Sequence, residues 1–152
     1  YMDVDLSTNL SHFPEMINDM ILGGYDIGTG SRLMKGSKTK RSFKREFISR
    51  AYNILVKILF RTKFSDAQCG FKAVTKKVVN KIIIPYVKDT GWFFDSELLI
   101  ISEKLGYRIL DVPVEWIEDL DTRVKIFKTA YEDIKGLIRV KVNFMKNIYK
   151  NI

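Results

Sequence analysis

From residue 43 to residue 59 apolar side chains recur at helical spacing: Phe43, Phe47, Ile48, Ala51, Ile54, Leu55, Ile58 and Leu59, with Lys44, Arg45 and Arg50 among the polar members. This stripe predicts one long amphipathic helix, and such a helix needs another layer to lie on. The flanking segments alternate in kind. Phe13-Pro14-Glu15 opens a short helix running to about Leu22, with Pro14 where its missing N–H is harmless and Gly23-Gly24 as the stop. Residues 25–28 read as a strand leading into Gly30-Ser31-Arg32, and the polar stretch 34–42 reads as a mobile loop. Further on come a strand over 71–74, a helix over 76–84 closed by Pro85, a helix over 93–105 ended by Gly106, and strands over 107–112 and 114–117. After a turn at 118–121, a last helix from Arg123 carries Val124, Phe127, Ala130, Tyr131, Ile134, Leu137 and Ile138 on its apolar side. The alternation predicts an α/β layer architecture: a mixed sheet with flanking helices and a C-terminal amphipathic helix, organised as residues 1–118 followed by a basic tail over 119–152.

A chain of 152 residues has room for one domain with its own core. Apolar residues at 46% and charged residues at 29% exclude a collagen-like chain and global disorder, and the single Cys69 excludes an intramolecular disulfide. The net charge of +8 favours an anionic partner: a phosphorylated substrate, an acidic lipid surface or nucleic acid. No apolar run is long enough to span a membrane, and the opening Tyr1-Met2-Asp3-Val4-Asp5 has neither a basic nor an apolar leader region.

Five groups of residues carry candidate chemistry. Asp3 and Asp5, at i and i+2 at the end of a strand, would point to one side and, as the backbone turns, together reach a hard cation, although taken alone surface acids at a strand end are more often solvated or capping. Arg32, Arg41, Lys44, Arg45, Ser49 and Arg50 form a basic cluster in which Arg45 and Ser49 are i,i+4, and a guanidinium fork with a hydroxyl suits a phosphate. The plain alternative is solvated charge. In Ser65-Asp66-Ala67-Gln68-Cys69-Gly70-Phe71, Asp66 would orient a ligand or a basic group, Gly70 would permit close backbone approach, and Cys69 reads as a small buried thiol. Asp95 and Glu97 interrupt the apolar Trp92–Leu99 stretch, either as partly buried groups near a ligand or as a cap and a solvated acid. The basic, amphipathic segment from Arg123 to Lys150 reads equally as a helix lying on an anionic membrane surface and as a terminal helix packed on the core. His12, the only histidine, sits in a turn without a partner for a triad, and the aromatic residues on apolar faces argue against a nucleic-acid platform.

Together these residues resemble the family-2 glycosyltransferases that charge a polyisoprenyl phosphate with a sugar. The resemblance runs over about residues 1–140 through Tyr1-Met2-Asp3-Val4-Asp5, Gly30-Ser31-Arg32, Arg45 with Ser49, Asp66–Lys72, Trp92–Leu99 and Val112-Pro113-Val114-Glu115-Trp116. It implies a partial GT-A fold and inverting transfer of a hexose, foremost glucose from UDP-glucose, to dolichyl or another polyisoprenyl phosphate. Asp3 and Asp5 would then hold Mg²⁺ or Mn²⁺ on the donor diphosphate, Arg32, Arg45 and Ser49 would hold the lipid phosphate, and Asp66, Asp95 and Glu97 would be catalytic or positioning groups. It implies too that the family's nucleotide-binding half lies outside this chain, so the piece alone is expected to be inactive, and that the protein works at the cytoplasmic face of a membrane, peripherally or through an anchor outside this chain. Two departures from the family pattern stand out: Ser7 where mannosyl-type relatives carry Gln, and Asp121-Thr122-Arg123 where relatives often show Gly-Ser-Lys. Mannosyl transfer and a non-catalytic binding module for anionic lipid or nucleic acid are the competing readings, with transfer to a protein-bound or small soluble acceptor as a third.

Overall fold

The computed structural model describes residues 1–117 and 126–149. In chain order these form α1 (His12–Gly23), β1 (Ile27–Ser31), β2 (Lys38–Lys40), α2 (Phe43–Phe60), β3 (Lys72–Val74), α3 (Lys76–Val78), a π-helical turn (Val79–Ile83), α4 (Ile84–Tyr86), α5 (Phe94–Lys104), β4 (Ile109–Pro113), β5 (Glu115–Ile117) and α6 (Ile126–Met145). The expected turn at 118–121, the Asp121-Thr122-Arg123 departure and the start of the last helix at Arg123 and Val124 lie outside the described residues.

β1 is the central strand. All five of its residues are buried, and the small side chains of Ile-Gly-Thr-Gly-Ser let layers close on both of its faces. It pairs in parallel with β4 over its whole length and antiparallel with β3, giving a mixed sheet of order β3-β1-β4. The opening residues add to this sheet beside β3: Met2 bridges Phe71, Asp3 N–H donates to the Gly70 carbonyl at 2.9 Å, and Lys72 N–H donates to the Tyr1 carbonyl at 3.0 Å. One residue, Val114, separates β4 from β5, which pairs in parallel with β2 in a second, two-stranded sheet. The stretch read as a mobile loop over 34–42 therefore contains a strand. Its Lys-Thr-Lys has no apolar residue to signal pairing, and β5 supplies the order from outside the segment.

α1 covers one face of the main sheet, where Met16 and Met20 meet Cys69, Phe71, Val112 and Val114. The other face carries the larger core, built from Ile27, Val56, Phe60, Leu98, Leu99, Leu137, Val140 and their neighbours on α2, α5 and α6. The helix over 76–86 was expected to end before Pro85 but runs on through it. The wide π-helical turn just upstream shifts the bonding register, which relieves the missing proline N–H and the ring clash that would break a regular helix.

The core takes up different helical faces from those the apolar spacing picks out. α2 turns Ser49, Asn53, Val56 and Phe60 inward, leaving Phe43 86% and Phe47 67% exposed, with Ile54 and Ile58 also outward. α6 buries Leu137 from its apolar stripe, but with Asp133 and Val140 from beside it, and exposes Tyr131, Ile134 and Ile138 of the stripe together with Met145. For α2 the reason is Asn53. Its amide oxygen accepts from Ala67 N–H at 2.8 Å and its Nδ2 donates to the Ser49 carbonyl at 2.9 Å, a bond to the facing loop that no aliphatic side chain supplies. For α6 it is Gly136, where a Cβ would overlap the Phe93 ring at the entrance to α5. No helix among the described residues is long and apolar enough to cross a membrane.

Candidate functional site

The chain leaves β1 through a turn built on Ser31. The Ser31 hydroxyl accepts from Leu33 and Met34 N–H, each at 3.2 Å, and bonds the Ser65 hydroxyl at 2.6 Å. This turn aims Arg32 at Asp66. Arg32 donates through Nε (2.7 Å) and its backbone N–H (3.1 Å) to Asp66 Oδ2, and through a terminal nitrogen to Oδ1 at 2.9 Å. Gln68 N–H adds a further bond to Oδ1 at 3.1 Å. Burial pushes the Asp66 carboxyl up, but the Arg32 charge and these donors more than reverse it and hold it at about 2. The Arg32 guanidinium also lies over the Trp116 ring, 5.4 Å from its centroid. Asp66 is thus the group that fixes Arg32, in line with the expectation that it orients a basic side chain.

A second guanidinium joins the first. Arg41 pairs with Glu46, which also accepts from Arg50 Nε at 2.5 Å. Burial and then the charge of Arg32 push Arg41 below its ordinary value. The two guanidiniums thus lie within electrostatic reach, each with a carboxylate partner of its own. Arg45 stands half-buried in the first turn of α2, and Ser49, one turn on, has a buried hydroxyl with no hydrogen-bond partner among the described residues. A hydroxyl so placed keeps one donor and two acceptor positions unused.

Asp3 and Asp5 do not extend along one strand face as the i, i+2 spacing suggests. The chain turns at Val4-Asp5, with Leu6 N–H bonding the Asp3 carbonyl at 3.3 Å, and Asp5 Oδ1 accepts from Ser7 N–H at 3.0 Å. The carboxylates still lie within electrostatic reach. The Asp3 carboxyl is raised by desolvation, by Asp95 and by Asp5, and lowered by Lys72 and Arg32. Its place is made by Gly70, where a Cβ would overlap the Asp3 carboxylate. Among the described residues no group of three or more His, Cys, Asp or Glu could hold a metal ion. Two mutually repelling carboxylates nonetheless fit the way Mg²⁺ is usually held, by one or two protein oxygens with the rest supplied by water and substrate phosphates.

Asp95 and Glu97, two residues apart, have separate surroundings. Asp95 accepts from the Tyr1 hydroxyl at 2.6 Å and lies 3.1 Å from the ammonium of Lys72, which is buried and also donates to the Cys69 carbonyl. It joins the Asp3 side of the site. Glu97 is fully buried and accepts from Lys88 N–H (3.0 Å), Asp89 N–H (2.8 Å) and Arg139 (3.0 Å). These contacts anchor the segment before α5 and the middle of α6, so Glu97 is neither the solvated acid of the plain reading nor in contact with the other candidate residues. His12 Nε2 accepts from Glu115 N–H at 3.0 Å, a fold contact. The Cys69 thiol is buried and pushed up to about 11, mainly by burial, so it is a packing residue and not a nucleophile.

Three contributors went unsingled in the sequence. Lys72 opens a strand in an apolar run, and nothing local reveals that its ammonium is interior. Asn53 follows Ser49 at i+4, a spacing that the apolar period assigned to the outer face. Gln68 bonds Asp133 Oδ2 through Nε2 at 2.8 Å, across 65 residues of sequence.

No family model matches the chain. Among curated proteins it is similar to the glycosyltransferase AglD of Haloferax volcanii, 37% identical over 137 residues that make up 90% of this chain and 21% of that protein. It is similar to the dolichyl-phosphate beta-glucosyltransferases of Dictyostelium discoideum, 31% identical over 84% of this chain and 39% of that protein, and of Saccharomyces cerevisiae, 29% identical over 74% and 33%. The chain spans less than half the length of each of these relatives. With a mixed sheet flanked by helices, a paired arginine in the Gly-Ser-Arg turn and identities of 26–37% over most of its residues, the chain is homologous to the family-2 glycosyltransferases of the polyisoprenyl- and dolichyl-phosphate kind.

Proposed function

We propose that this chain is the metal-bearing and acceptor-binding part of a GT-A glycosyltransferase that moves a hexose, foremost glucose from UDP-glucose, onto dolichyl or another polyisoprenyl phosphate with inversion. The observation that carries this reading is the Arg32 guanidinium, fixed by Asp66 and within electrostatic reach of both Arg41 and the Asp3 carboxylate, with Arg45 and the orphaned Ser49 hydroxyl one turn apart on α2. Arg32, Arg45 and Ser49 receive the lipid phosphate. Asp3 and Asp5 face the donor diphosphate, where Mg²⁺ or Mn²⁺ would supply charge neutralisation for the departing group. An oxygen of the acceptor phosphate bonds to the anomeric carbon as the bond from that carbon to the nucleoside diphosphate breaks, and the diphosphate leaves with the electron pair. The attacking oxygen is already anionic at neutral pH, so no proton has to be removed and orientation carries much of the acceleration. Asp66 acts through Arg32, and Asp95 with Lys72 sets the charge beside Asp3.

The test is transfer of radiolabelled glucose from UDP-glucose to a polyisoprenyl phosphate in detergent with Mg²⁺ or Mn²⁺ by a longer protein that carries this chain together with a nucleotide-binding half, since the chain alone is expected to be silent. Transfer that falls about a hundredfold in Asp5→Asn and vanishes with chelator is the expected result. Metal-independent transfer, or none with UDP-glucose, UDP-mannose and GDP-mannose alike, would refute it and favour the binding-module reading.

The outward faces of α2 and α6 support a membrane surface as the working environment. Phe43, Phe47, Ile54 and Ile58 on one helix and Tyr131, Ile134, Ile138 and Met145 on the other are exposed, and both helices are rich in Lys and Arg. Co-sedimentation with phosphatidylserine-containing vesicles is expected to fall about tenfold for each of Phe43→Ser and Phe47→Ser. Unchanged sedimentation would place the contact elsewhere.

A further inference from the structure

α6 reaches the candidate site through one continuous series of hydrogen bonds, side-chain and backbone. Asp133 is buried on the inner face of α6 and accepts from Gln68 Nε2 at 2.8 Å. The same Gln68 donates its backbone N–H to Asp66 Oδ1, and Asp66 holds Arg32 by two side-chain bonds and one backbone bond. The middle of α6 is also seated by Gly136 against Phe93 and by Arg139 on Glu97. We propose that Gln68 and Asp133 are positioning residues that make the placement of Arg32 depend on the seating of α6. Its consequence for phosphate binding rests on the acceptor reading of Arg32; the coupling itself does not.

The connection is sensitive to charge. Around Asp133 stand Gln68 from the site loop, Tyr52 from α2, Asp89 from the segment before α5 and Glu132 from its own helix, with Arg139 shared between Glu97 and, at 3.8 Å, Asp89. Burial first, and then the charges of Asp89 and Glu132, push its carboxyl up to about 7 against the opposing Gln68 bond. A carboxyl raised in the folded state favours seating when protonated, so seating weakens as pH rises through about 7. Asp133→Asn keeps an oxygen for the Gln68 amide without the charge, and Asp133→Leu and Gln68→Leu remove the bond.

Hydrogen exchange of the chain and its variants between pH 6 and 8, corrected for intrinsic rates, tests the coupling, with farnesyl phosphate titration as the second readout. The leucine variants are expected to raise exchange at pH 6 about tenfold in α6, over 66–72 and over 29–34, and to weaken farnesyl phosphate about tenfold. In the parent, exchange in all three segments should rise with pH, whereas in Asp133→Asn it stays level. Faster exchange confined to α6, or a pH dependence surviving in Asp133→Asn, would overturn the proposal. Coupled exchange with no farnesyl phosphate binding by any protein, the parent included, would uphold the coupling and refute the phosphate assignment of Arg32.

Discussion

Asp66→Ala is expected to destabilise the fold by about 3–5 kcal/mol in urea unfolding, because it strands the Arg32 guanidinium, 12% exposed, without its partner. Asp66→Ala combined with Arg32→Met should recover much of that loss, since an apolar chain in place of the arginine has no charge to leave unpaired. The same pair shapes the acid limb of the stability curve. Asp66 sits near 2 in the folded protein against an ordinary 3.8, so its contribution is complete above about pH 4 and disappears as pH falls through 2, about 2 kcal/mol in all. A loss in Asp66→Ala under about 1 kcal/mol would mean that water replaces the carboxylate and that Arg32 is not held as described.

Gly70→Ala should be the most damaging small change at the site. The added methyl occupies the position of the Asp3 carboxylate, so either that side chain is expelled or the pairing of Asp3 with Gly70 opens. Asp5→Asn leaves an oxygen in place; Gly70→Ala moves the other carboxylate altogether. Transfer activity is expected to fall about a thousandfold and Mn²⁺ binding, followed by electron paramagnetic resonance, to be lost, with a modest stability cost of about 1–3 kcal/mol. Retained Mn²⁺ binding in a folded Gly70→Ala protein would remove Asp3 from the cation site.

How far the sequence could be read depends on the range of the interaction. The helices at 12–23, 43–60 and 94–104 were legible because period, proline and glycine act within a few residues. β2 was missed because Lys-Thr-Lys acquires its order from β5, and the run through Pro85 was missed because it depends on a π-helical register. The Asp66–Arg32 connection was legible only in kind, as an acid able to orient a basic group. Nothing local tells that Lys72 is interior, or that Glu97 faces Arg139 rather than solvent, since both follow from contacts made tens of residues away. The inner face of α2 misled for a related reason: Ser49 and Asn53 occupy buried positions that the hydrophobic period reserves for aliphatic side chains, which is where a site departs from the rule for a core.

β1, buried on both faces, gives the site the mechanics of a bench vise. Arg32 emerges one residue beyond a strand clamped between two layers, so that jaw is machined into the frame and moves only if the frame moves. Arg45 and Ser49 ride on α2, whose inner surface is bolted to the Asp66–Lys72 segment by the Asn53 amide. On the proposed reading a phosphate held between them would meet two jaws tied to one frame, so the width of the opening would be set by the fold before the guest arrives.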